Sequence, residues 1–168
     1  MILDENLDKY YVEGVKVPRY RGLTTDKATR SKIKSHWVYG TPLILPDSQG
    51  RYPSKVNAIR IGGGAIYPVY PSTVSEYTGC DDCKGEPIYE GDIVCKNKNY
   101  IRLVQYNERY SAYITLRKGG NGNYSADYLA KGDNLCRNLE IIGNMWQNRE
   151  LLKQRCYTDY SLEEVYND

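Results

Sequence analysis

Cys80-Asp81-Asp82-Cys83 and Glu90-Gly91-Asp92 hold the residue types and spacings from which a metal centre or an acid–base pair could be built. Two thiolates three positions apart can share a zinc ion, but a closed site needs four ligands. No second Cys-x-x-Cys follows, so Cys95, Cys136 or His36 would have to be recruited through the tertiary fold. Glu90 and Asp92 lie two apart. On an extended segment both carboxylates would face one side and could bind a cation or share a proton. Gly91 between them points instead to a turn, in which an Asp at a strand entrance accepts hydrogen bonds from nearby amides. The structural reading is favoured for both motifs, and neither a metal site nor a cofactor is expected. A divalent-metal nuclease from Glu90, Asp92 and Asp81 or Asp82 is the one enzyme these residues would make, and it lacks a designated base. His36, the single histidine, stands beside Trp37 with no motif around it, and neither a Gly-x-Ser-x-Gly elbow nor a Cys/His signature is present. The glycines at 62–64 lack the Gly-Lys-Ser/Thr of a phosphate loop. No catalytic residue is expected.

Composition supports the same direction. The 168 residues are 26% charged and 40% hydrophobic, enough for one globular domain or two small lobes. Mean hydropathy is −0.66, no apolar run approaches 18 residues, and Met1-Ile-Leu-Asp-Glu5 lacks signal-peptide character. An intracellular chain with reduced thiols is expected, its five cysteines being odd in number. A net charge of +2 neither demands nor forbids nucleic acid. The aromatic set is 18 Tyr, 2 Trp and no Phe; tyrosine favours strands and serves as an interface anchor at low entropic cost. Charge is segregated. Residues 16–36 carry seven Lys or Arg against Asp26, whereas residues 76–92 carry six acids against Lys84. Basic side chains interleaved with aromatics, at Arg19-Tyr20-Arg21 and from Lys32 to Tyr39, are what a nucleic-acid surface needs. Arg30, Lys32, Lys34, Trp37, Tyr39, Tyr77 and Tyr89 are the candidate binding residues.

Short strands at intervals of about ten residues, with 15 Gly and 7 Pro in the turns, predict a mainly β chain forming a barrel or roll. Residues 100–106 and 111–117 predict a hairpin around a four-residue loop at 107–110. Residues 36–40 and 43–45 read as two strands with a break at Pro42, and residues 55–61 as a strand. A helical turn or two is expected over 125–131, a strand over 138–143, and a short helix from Asn144 to Arg155. The domain is expected over 15–156, with a two-lobe division near residue 72 as the alternative. An N-terminal arm (1–14) and an acidic tail (157–168) flank it.

The order of several blocks resembles the YopX-like family of phage and prophage proteins. They are Tyr20-Arg21-Gly22, His36-Trp37-Val38-Tyr39-Gly40, Tyr77-Thr78-Gly79, then Gly85 and Ile88-Tyr-Glu-Gly-Asp-Ile-Val94, and Glu140-Ile-Ile-Gly143 through Leu152. Cys80 falls where that family has Leu and Cys83 where it has a polar turn residue, which argues against a shared metal site. Arg149 replaces its helix-start Pro. The resemblance implies a mainly β fold with an SH3-like barrel or roll, additional strands and a short C-terminal helix, in the cytoplasm of a bacterial host. The family has no established enzymatic activity. Gly79, Gly85, Glu90, Gly91, Asp92 and Gly143 read as the structural motif that sets the fold. A non-enzymatic accessory protein that binds a macromolecule is therefore expected: a host or phage protein or a second copy, with nucleic acid as the alternative and no membrane.

Overall fold

Strand-forming Tyr, Val and Ile, punctuated by Gly and Pro, fold into antiparallel strands throughout the described residues. The computed structural model describes residues 19–27, 36–96, 100–118, 123–130 and 134–153. The chain divides into two compact units, residues 1–76 and 77–168.

In the first unit, β1 (Tyr20–Leu23), β2 (Trp37–Leu43), β3 (Ala58–Arg60) and β4 (Ile66–Pro68) lie in the order β4-β3-β2-β1. Ser75 and Glu76, which open β5 (Ser75–Asp81), pair with Arg21 and Tyr20 of β1. Val38, Ile59, Ile61 and Val69 form the core, flanked by Tyr67 and Val74. Where a break was expected at Pro42, β2 runs on unbroken to Leu43, with Pro42 opposite Ile59. The β1–β2 register ends at Tyr20 and Gly40. On that side no described neighbour needs the N–H that proline lacks. The strand expected over 55–61 is shorter, Ala58–Arg60, because Asn57 turns its side chain to Leu45, accepting from its N–H at 2.8 Å and donating to its carbonyl at 2.9 Å.

The second unit holds the rest of β5, paired with β6 (Pro87–Tyr89), and a five-stranded sheet. That sheet orders β10 (Tyr124–Tyr128), β9 (Ala112–Lys118), β8 (Tyr100–Asn107), β7 (Asp92–Lys96) and β11 (Leu139–Asn144). Successive side chains of a strand point to opposite faces, and each face of this sheet has its own core. Val94 and Val104 join Cys80, Ile88, Leu129, Cys136 and Leu139 on one side. Ile93 and Leu103 join Met145 and Leu152 on the other. The short helix α1 (Arg149–Lys153) contributes Leu152, which is fully buried. Five residues make too few internal bonds to hold a helix, whereas one buried leucine contributes roughly 1.5–3 kcal/mol; packing therefore holds α1 in place.

The hairpin forms with its four-residue loop one position later than expected: Asn107 opposes Ala112 and the loop is 108–111, closed by Ser111 at φ 49°. The helical turn expected over 125–131 is strand β10 instead, its register running from Tyr124 opposite Lys118 to Tyr128 opposite Ile114. Tyr124 and Tyr128 favour a pleated surface, and β9 offers a complete ladder for them. Neither sheet closes into a barrel among the described residues. The helix expected from Asn144 begins only at Arg149. Asn144 ends β11 instead, and its side-chain oxygen accepts from the N–H groups of Trp146 at 3.2 Å and Gln147 at 3.0 Å. The arm at 1–14 and the tail at 157–168 lie outside the described residues. No helix among the described residues is long and apolar enough to cross a membrane.

Candidate functional site

Three carboxylates of the acidic segment, those of Asp82, Glu90 and Asp92, accept from backbone amides. Asp82, 6% exposed, accepts from Lys84 N (2.7 Å) and Glu86 N (3.0 Å) through Oδ1 and from Ile141 N (3.1 Å) through Oδ2. One side chain therefore closes the 82–86 turn and fastens it to β11. Beside it Cys83 N donates to the Leu139 carbonyl at 2.7 Å, and Lys84 forms an ion pair with Glu140. Both partners of that pair are substantially exposed, so it adds little. Cys80 lies in the core while Cys83 is exposed, an arrangement that points the two thiols into different surroundings. Among the described residues no group of three or more His, Cys, Asp or Glu side chains gathers as metal ligands.

Glu90 and Asp92 are separated by a turn and do different things. Gly91 has φ 78°, so the two carboxylates do not share the single face that an extended segment would give them. Asp92, 1% exposed, accepts from Tyr89 N at 2.8 Å; Glu90 accepts from Tyr106 N on β8 at 3.1 Å. Gly91 itself donates to the Val104 carbonyl at 2.8 Å and accepts from Met145 N at 2.9 Å. This glycine thus links β8 to the chain that follows β11. Gly79 and Gly85 also have positive φ, 85° and 81°. Gly143 sits at the β11 bulge, where a Cβ would meet Asn148 Oδ1 at 2.6 Å.

The candidate binding residues scatter. Arg30, Lys32 and Lys34 lie outside the described residues. Trp37 and Tyr89 are 3% and 1% exposed, which corrects their expected role as surface rings: both face the interior because their strands turn that side inward. The buried Arg21 guanidinium stands 4.2 Å from the Trp37 ring centre and donates to Ser75 Oγ at 3.2 Å. Tyr39 and Tyr77 are half-buried. His36 has φ 60°, and its carbonyl accepts from Thr24 N at 3.0 Å.

Tyr77 donates its hydroxyl to Asp81 Oδ1 at 2.9 Å, and its ring centre lies 5.9 Å from that of Tyr89. Burial first, then the Asp81 carboxylate, push its ionisation well above the ordinary tyrosine range. The hydroxyl therefore keeps its proton in the fold to higher pH than in the unfolded chain. Its contribution is complete below about pH 10 and falls as pH rises beyond that value. Tyr77→Phe is expected to cost less than about 1 kcal/mol at neutral pH. The wild-type advantage should shrink above about pH 10 in paired urea titrations; a difference that stayed constant would reject this account.

Sequence reasoning did not single out the tyrosines that the second unit exposes. Tyr100, Tyr106, Tyr110, Tyr124 and Tyr128 are 42–55% exposed. Tyr110 and Tyr128 meet edge to face with centres 5.8 Å apart, Arg109 lies against Tyr110, and Arg117 stands 4.5 Å from the Tyr100 ring centre. Their signal was present in the alternation Tyr124-x-Ala126-x-Tyr128, concealed by reading that stretch as helical.

The residues that fix these turns are those of the recurring blocks, and the family model described as YopX protein matches residues 10–153. No curated protein matches the chain. With the match running from ahead of β1 to the last residue of α1, the chain belongs to the YopX family.

Proposed function

We propose that this chain is a phage- or prophage-derived accessory protein of the bacterial cytoplasm that works by binding a protein, either a partner or a second copy, and carries out no bond-breaking step. The observation that carries this is the exposed pair Tyr110 and Tyr128, in edge-to-face contact on the β8–β9 loop and β10. Large rings held by strands are low-entropy anchors of the kind that dominate protein interfaces. Support also comes from the acids: Asp82, Glu90 and Asp92 each receive backbone N–H donors, the work of scaffold residues. Within the same proposal, the five-stranded sheet with its two cores is the SH3-like roll that family resemblance implies.

Retention of partners from host and phage lysate on the immobilised chain tests the reading. It is expected to survive moderate salt and to weaken roughly tenfold in a Tyr110→Ser, Tyr128→Ser double variant. Retention of DNA or RNA that falls steeply with salt and disappears on charge reversal at Arg30, Lys32 and Lys34 would overturn it in favour of nucleic acid.

A further inference from the structure

We infer that β10 is a strand-addition edge built for a second copy of this chain, the two β10 strands pairing antiparallel about a two-fold axis through Ala126. This deepens the binding role proposed above and rests on it, naming the surface through which self-association runs. An open sheet edge invites pairing with another chain unless proline, charge, a bulge or a covering segment blunts it. Three other edges carry such devices. Strand β4 is three residues long and ends at Pro68, and β6 opens on Pro87. Strand β11 has a bulge between Ile141 and Gly143, and donors and acceptors at Leu139 and Ile141 are taken by Cys83 N and Asp82 Oδ2.

Among the described residues β10 shows no proline, no bulge and no second strand alongside it, and its one charge is engaged within its own chain. Its five residues, Tyr124-Ser-Ala-Asp-Tyr128, include no proline, no lysine or arginine and no register shift against β9. Among the described residues β9 is its one strand partner. Four of the five are exposed, Tyr124 at 45% and Tyr128 at 51%. The single charge, Asp127, is ion-paired with Arg102 of its own chain.

The sequence of the strand selects the occupant. It is nearly palindromic about Ala126, so antiparallel self-pairing sets Ala126 opposite Ala126 and Tyr124 opposite Tyr128 on one face. On the other face Ser125 opposes Asp127, and no like charges meet. Two aromatic cross-strand pairs and two carboxylate–hydroxyl pairs result, each of a favourable kind, and two five-stranded sheets become one. Tyr110, seated against Tyr128, widens the contact. An edge this short buries less than the roughly 1,000 Å² of a stable interface, so a reversible dimer with a dissociation constant on the order of tens of micromolar is expected.

Sedimentation velocity of the full chain across about 5–500 μM should show a monomer passing into a dimer. Ala126→Lys and Ala126→Glu each place like charges opposite one another and should weaken the dimer about fivefold. An equimolar mixture of the two should restore it, because only this register sets residue 126 against itself. Far-ultraviolet circular dichroism establishes that each variant is folded. Independently of any variant, amides of residues 124–128 in the wild-type chain should gain protection from hydrogen exchange as concentration rises. A chain monomeric throughout that range, or exchange at 124–128 that ignores concentration, overturns the inference. A dimer indifferent to both charges and to their mixing places self-association on another surface. In either case, tyrosine-dependent capture of a partner would leave the binding role standing.

Discussion

Alanine at position 91 should destabilise the second unit by about 3 kcal/mol, most of it from steric displacement. Two costs combine. Gly91 has φ 78°, and a residue bearing a Cβ gives up roughly 1–2 kcal/mol in that conformation. A Cβ there would also stand 2.2 Å from Cη2 and 2.4 Å from Cζ3 of Trp146, so the indole must leave its place against the core formed by Ile93, Leu103, Met145 and Leu152. Gly85→Ala separates the two terms. Its φ is 81° and no atom lies within 4 Å of an added Cβ, so it should lose only the conformational part, about 1 kcal/mol. Urea unfolding of both variants provides the comparison. Equal losses at 91 and 85 would mean that the Trp146 ring does not enforce glycine at the Glu-Gly-Asp turn.

Asp82→Ala is expected to cost a similar amount, about 3 kcal/mol, through loss of acceptors rather than loss of space. Three amides, those of Lys84, Glu86 and Ile141, donate to its carboxylate. A backbone donor left unpaired costs on the order of 1 kcal/mol or more. Asparagine should fall between: its single oxygen can still close the 82–86 turn, but the amide NH2 would confront the Ile141 N–H, giving a loss of about 1–2 kcal/mol. The neighbouring Asp81 is the contrast. It is exposed and accepts from the Tyr77 hydroxyl, and its replacement by alanine should cost under about 1 kcal/mol. If Asp81→Ala and Asp82→Ala unfold at the same urea concentration, Asp82 is not the fastener of the turn to β11.

What was legible in the chain was local. Period-two alternation between turns exposed the hairpin of β8 and β9 to within one residue, since register follows from which side chains must be buried. Gly91 and Asp92 declared a turn and a strand entrance, and both are found there. Three misreadings share one cause. Pro42 looked like a break because its lack of an N–H is visible in sequence, whereas the end of the β1 ladder beside it is not. Residues 125–131 looked helical because the waiting ladder of β9 cannot be seen from that segment alone. Trp37 and Tyr89 looked like binding rings because an aromatic suits both a core and a surface.

The order of residues by itself determined a mainly β chain, the positions of its tightest reversals and its membership of the YopX family, because each depends on contacts between near neighbours or on motifs read in line. Only the tertiary structure decided that Asp82 binds three amides, that Trp146 stands over Gly91, and that Tyr110 and Tyr128 meet at the surface of the second unit. Those outcomes join residues such as Asp82 and Ile141, or Gly91 and Trp146, that are more than fifty positions apart; their meeting is set by how strands stack and which faces they bury, a property no single segment carries.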